Sequence, residues 1–259
     1  GTKSMADQMA DGSLMSADSS TFTSTRVSML TGKTDQNAAP SSFHEIMPSA
    51  DGKKNVGKVI SDNYEVVEGS WPKNKNEVVL VLDENNSLSL TAVYELGLKS
   101  ASEYHDMMNQ LNSGDDVKTD TKKIDYSDVI DRTLKLLPAC DQYVKGDNGH
   151  WTYVGDDVDQ INALIDSDKA IDLKIVGVVK PVEDADATPL SSGVGYTRAL
   201  TNELIDRAES SEIVTEQQSD KDHNVLNGMT FSPSDDATKA QDARDYVASL
   251  GVSSKAQMA

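Results

Sequence analysis

Cysteine is almost missing from these 259 residues: Cys140 stands alone, so no disulfide can form within the chain. It reads as a small buried hydrophobe. Long apolar runs are missing too. The longest, 78–82 and 175–179, fall far short of the ~18 to 20 residues needed to cross a bilayer. Positive charge is scarce, with 24 Lys and Arg against 43 Asp and Glu for a formal net charge of −19. That balance excludes the basic surface that phosphate contacts require, so no nucleic acid is expected as a partner, and it weakens adhesion to anionic lipid headgroups. Solubility is its ordinary role, and a cationic cargo or partner is the sharper reading. Residues 1–20 lack the basic start and apolar segment of a signal peptide. No 20- to 50-residue repeat recurs, which argues against a solenoid or propeller.

The motifs of common enzymes and cofactor sites are incomplete in the same way. Thr31-Gly32-Lys33-Thr34 imitates the end of a phosphate-binding loop, but Val27 stands where the first glycine belongs and no buried strand precedes it. Gly193-Val194-Gly195 lacks the third glycine of a dinucleotide site and reads as a turn. His44, His105, His150 and His223 are scattered, without metal-ligand spacing. The acidic clusters at 156–159 and 183–186 do not fit a calcium loop. The expectation is a non-enzymatic chain with no cofactor.

What is present is most ordered between residues 64 and 98. Tyr64, Val66 and Glu68 begin an extended run that Gly69 interrupts and Pro72 ends. After a polar turn, the uniformly apolar and β-branched 78–82 reads as a central strand covered on both faces. A second turn leads to Ser89 as a cap, with Leu90, Val93, Tyr94 and Leu96 on one helical face before Gly97. Ser100 and Glu103 form a capping box for another helix through Tyr104, Met107, Met108 and Leu111.

Upstream, Phe43, Ile46 and Met47 form a first apolar cluster, and 56–60 reads as an edge strand. Downstream, 126–131 is a helical turn, 133–137 a strand, and the Asn148-Gly149 pair closes a β-hairpin between 142–144 and 151–154. Asp157 starts a helix, and 171–179 forms a second buried strand beside 78–82. A helix from Thr197 should carry Leu200, Leu204, Ile205 and Ala208 on one face, with a further helical turn at Ile213 and Val214. Residues 221–233 are loop-like, and Ser234 caps a last helix with Ala237, Ala240, Ala243, Val247 and Leu250 in line. The alternation predicts an α+β fold, a mixed β-sheet with covering helices. Residues 1–55 read as a weakly ordered N-terminal segment, 56–218 as the core, and 219–259 as a C-terminal loop and helix.

Three blocks carry a family resemblance: EGSWP and NEVVLVLDENN followed by YELGL at 68–98, DLKIVGVVKPVEDAD at 172–186, and SSGVGYTRALTNELI at 191–205. In this order they resemble the extracytoplasmic domain of FtsX/MacB-like ABC-transporter permeases, particularly the large-ectodomain type of Gram-positive bacteria. The resemblance covers roughly residues 63–218. It implies a MacB-like periplasmic or extracellular domain at the cell membrane, excised from a longer permease. It further implies ATP hydrolysis on a separate ATPase subunit, a second permease copy reached through membrane regions, and a peptide, lipoprotein or lipophilic cargo. The alternative is a free-standing secreted protein for adhesion or ligand binding. Contacts with cargo or partner are expected on the hairpin carrying Tyr143, His150, Trp151 and Tyr153, which gathers aromatic and polar groups beside a tight turn. Packing of Trp151 and Tyr153 against the sheet is the competing expectation.

Overall fold

A computed structural model describes residues 43–88, 93, 125–155 and 157–249. The chain divides into two compact units: Gly1–Leu137 with Ile165–Glu203, and Pro138–Leu164 with Leu204–Ala259. The second therefore draws both on the middle of the stretch 56–218 and on 219–259. The phosphate-loop fragment at 31–34, His105 and the helices expected from Leu90 and Ser100 lie outside the described residues, apart from Val93, which is helical.

The first unit is α+β and built on one mixed sheet. Its strands are β1 (Phe43–Glu45), β2 (Tyr64–Gly69), β3 (Glu77–Val81), β4 (Thr133–Leu136), β7 (Ile171–Pro181) and β8 (Gly193–Tyr196). They run in the order β1-β8-β3-β7-β2, with β4 also paired to β7. As expected, β3 is central: it runs parallel to β7 and antiparallel to β8. Val78 and Leu80 serve one face and Val79 and Val81 the other, and all four are buried. On one face Val79 and Val81 join Ile46, Ile60, Tyr64, Val179 and Leu190 in a cluster, and Trp71 packs against it. The Tyr64 hydroxyl donates to the Leu190 carbonyl at 2.8 Å and accepts from its N–H at 2.9 Å, so the one polar atom of that ring is satisfied twice.

β7 is the longest described strand because β4 and β2 lie end to end along the edge opposite β3. It pairs β4 over Ile171 to Lys174 and β2 over Gly177 to Pro181. Between these stretches Val78 pairs Ile175 while Val79 pairs Gly177, which makes Val176 the extra residue of a bulge. Two glycines permit the crossing. A Cβ on Gly69, whose φ is +72°, would collide with the Val176 carbonyl oxygen, and one on Gly177 would collide with that of Ser70.

Three expectations for this unit change. Residues 56–60 are not an edge strand, because α1 (Lys58–Asn63) begins there, supported by a Lys58–Asp62 pair one turn apart and by Asn63 Nδ2 donating to the Val59 carbonyl. Gly193-Val194-Gly195 is not a turn. It lies in β8, between β1 and β3, where a Cβ on Gly195 would press on Ile46 and Val79 at 3.1 Å. Within the first apolar cluster, Ile46 is fully buried but Met47 is half exposed.

The second unit holds the hairpin β5 (Tyr143–Lys145) and β6 (Trp151–Tyr153), as expected from the Asn-Gly pair. Helix α2 (Val158–Ile165) follows Asp157, whose carboxylate accepts from the N–H groups of Asp159 and Gln160. Helix α3 (Arg198–Ser210) begins in the first unit, and α4 (Glu212–Ser219) is capped by Ser211. Along α3 only Leu200 is fully buried, and Ile205 is 50 % exposed rather than part of an inward face. The final helix, α5 (Asp236–Ser249), is reversed from expectation. Ala237, Ala240, Ala243 and Val247 face solvent, and the less exposed line is Thr238, Asp242, Tyr246 and Ser249. Its cap is Asp235, which accepts the Thr238 N–H at 2.7 Å, and not Ser234. No described helix is long and apolar enough to cross a membrane.

Candidate functional site

Three of the four residues singled out on the hairpin, Tyr143, Trp151 and Tyr153, are brought to one face together with Lys145, and the pairing register explains how. Tyr143 lies opposite Tyr153 and Lys145 opposite Trp151, so all four side chains share one face while Val144 and Thr152 share the other. The two tyrosine rings meet at 5.4 Å between centroids and 56°. Trp151 retains only 7 % exposure. Its indole Nε1 donates to Glu216 Oε2 at 2.9 Å, and Lys145 Nζ reaches the same oxygen at 2.7 Å while lying 5.9 Å over the indole. Tyr143 and Tyr153 are half-buried on that face, and His150 ends the turn. The His150 ring rests on Gly228, where a Cβ would stand 2.7 Å from Cε1.

Glu216 is the group that the sequence did not single out. It projects from α4 and gathers a lysine and an indole N–H. The hydrogen bond from Lys145, followed by that from Trp151, holds its carboxyl below the usual glutamate range. The next residue, Gln217, spans three backbone groups: its Nε2 donates to the carbonyls of Asp220 and His223, and its Oε1 accepts from the Val225 N–H. The Val225 carbonyl in turn accepts the Trp151 N–H at 3.0 Å.

This chain of bonds turns the loop-like 221–233 into a small hairpin. Asn224 N–H donates to the Met229 carbonyl and Phe231 N–H to that of Asp222, with His223 and Thr230 bridged between them. Asp220 holds the approach through the N–H groups of Asp222 and His223 and through His223 Nδ1 at 3.1 Å. Those donors, the His223 N–H foremost, lower its carboxyl pKa. The available signal was Asn227-Gly228, the same pair that marked the first hairpin; Gly228 has φ +71°.

At the entry to β5, Asp141 accepts from Arg207 Nε at 2.7 Å in a partly buried pair. Cys140 is half-buried rather than buried. Desolvation, reinforced by the Asp141 charge, pushes its thiol above the usual range, away from nucleophilic chemistry. Among the described residues no three His, Cys, Asp or Glu side chains converge as a metal site. Compared with family models, curated proteins and solved structures, the chain matches none.

Proposed function

We propose that this chain is the extracytoplasmic binding and coupling module of an FtsX/MacB-like ABC-transporter permease, with a MacB-like ectodomain fold and no catalysis of its own. The observation that carries this reading is the placement of the three blocks that resemble the family. The first supplies the end of β2 and the whole of β3, the second β7, and the third β8 with the start of α3. Those strands are consecutive neighbours in the order β8-β3-β7-β2, so the resembling segments form one structural unit and are not scattered over unrelated surfaces.

In this role the sheet is a rigid body. Its strands are committed to the core, and motion of attached membrane helices, driven by a separate cytoplasmic ATPase, would carry the domain without altering its packing. Cargo or partner contacts then fall on hairpins and loops, where side chains can vary at little cost to the fold. A peptide, lipoprotein or lipophilic cargo fits this scheme, as does a second permease copy.

The test is expression of the complete gene product with an affinity tag. A membrane-embedded protein with long apolar helices on both sides of this segment, co-purifying with an ATPase, is the expected result. Recovery of a mature protein that is secreted whole and associates with no ATPase would overturn the reading.

A further inference from the structure

The hairpin at residues 222–231 carries the most unusual exposed surface of the second unit. Asp222 and Phe231 are opposite one another, because Phe231 N–H donates to the Asp222 carbonyl at 2.8 Å and the adjacent pair is His223 with Thr230. Opposed residues of an antiparallel pair project from the same face. Phe231 is 54 % exposed there, and Leu226 at the tip is 40 % exposed. The Asp222 carboxylate has no hydrogen-bond or ion-pair partner among the described residues, in contrast to Asp220 on His223 and Asp242 on the Thr230 N–H.

The exposure is not that of a slack loop. Asn224 organises the tip, accepting the Leu226 N–H on its side chain at 2.8 Å and the Gly228 N–H on its carbonyl at 2.7 Å. Gln217 fixes one strand, and Asp242 fixes the other through Thr230. An aromatic face, an uncompensated carboxylate and an aliphatic tip are thus held in fixed relation, and little ordering entropy is lost when something docks.

We propose that this face is a docking surface for an arginine-bearing, partly apolar segment of a protein partner. The guanidinium stacks on the Phe231 ring and pairs with Asp222, and an aliphatic side chain of the same segment covers Leu226. Charge complementarity selects this occupant. A carboxylate beside an open ring favours a planar cation, and the chain's net charge of −19 disfavours anionic lipid and nucleic acid. The surface stands on its own geometry and does not depend on the transporter reading.

The test uses the chain labelled with ¹⁵N and a synthetic blocked peptide, Leu-Ser-Ser-Arg-Leu-Ser-Ser-Arg, with its Arg→Glu counterpart as control. The arginine peptide is expected to shift the amides of Asp222, Leu226 and Phe231, with binding that weakens as salt rises. The glutamate peptide should leave them unmoved. Asp222→Asn and Phe231→Ser should each weaken binding by roughly 3-fold, the fold-change expected of one exposed cation–ring or ion-pair contact. Both variants replace exposed side chains, so their melting curves should overlay the parent's. Equal binding of the two peptides, shifts confined to other residues, or full affinity in both variants would overturn the proposal. Capture of the chain by neutral phosphatidylcholine vesicles, with no response to the arginine peptide, would replace it with a lipid surface.

Discussion

The two units are stabilised by different means. In the sheet unit, β3 and β7 bury nearly every inward position, and residues such as Val79, Val81, Leu173 and Val179 are fully enclosed. In the hairpin unit the buried apolar residues among those described are Trp151, Val154 and Ile161, and the rest of the order comes from hydrogen bonds converging on Glu216, Gln217 and Asp220. Apolar burial carries no titrating group, whereas a clasp of carboxylates responds to pH and is screened by salt. The sheet is therefore suited to be a frame, and the hairpin unit to be the part that responds to its surroundings.

The sharpest way to break that contrast is to charge the frame. Val79→Asp places a carboxylate in the apolar cluster on one buried face of β3 and should cost at least about 4 kcal/mol, abolishing the cooperative melt of the sheet unit. A normal melt would contradict the central placement of β3. Trp151→Ala removes the largest buried side chain of the hairpin unit and should cost about 3 to 5 kcal/mol there. Trp151→Phe retains most of the burial but loses the N–H that Glu216 accepts, so the part of the loss that it fails to recover in denaturant melts measures the bond to Glu216.

Smaller effects sharpen the account of the frame. Gly177→Ala drives a methyl group toward the Ser70 carbonyl at the bulge and should cost about 1 to 3 kcal/mol. An unchanged melting temperature would show that β2 can be displaced freely. The smallest effect belongs to His44, whose Nε2 is buried with no partner among the described residues. Burial lowers its pKa from the ordinary 6.5, so the folded state resists a proton that the unfolded chain accepts. Its contribution is fully present above pH 6.5 and is lost as pH falls below that value toward the lowered folded pKa. His44→Gln should flatten the pH dependence of the sheet unit's melting temperature over that interval; an unaltered slope would assign the dependence to other groups.

The sheet was legible in the sequence because its signals are local and redundant. An apolar, β-branched run such as 78–82 has few places to go other than a covered strand, and 171–179 repeats that signal. The Asn148-Gly149 turn also carries its own conformational preference. Misreadings arose where tertiary context overrides the local pattern. Gly193-Val194-Gly195 looks like a turn by composition, yet its small residues allow β8 to lie against Ile46 and Val79. Ala237, Ala240, Ala243 and Val247 follow the period of a buried helical face, but alanine methyls gain little from burial, and α5 is instead oriented by Asp242 on Thr230 and by Asn148 reaching the Ser249 carbonyl. Glu216 had no local signature at all. One glutamate in a polar helix becomes distinctive only when Lys145 and Trp151, distant in sequence, arrive beside it.

The contrast between the units can be read directly, because each contains one tryptophan: Trp71 in the sheet unit and Trp151 in the hairpin unit. The measurement is the emission of each, isolated by Trp151→Phe or Trp71→Phe, between pH 7 and pH 3. Glu216 has its carboxyl pKa lowered from the ordinary 4.5, so the stability it confers is present above that value and disappears as pH falls through the lowered one. Trp151 emission should shift to the red below about pH 4.5, the step should vanish in Glu216→Gln, and Trp71 emission should hold steady over the same interval. A Trp151 signal that stays constant to pH 3, or one that moves together with Trp71, would contradict the claim that a carboxylate clasp and not an apolar core holds the hairpin unit.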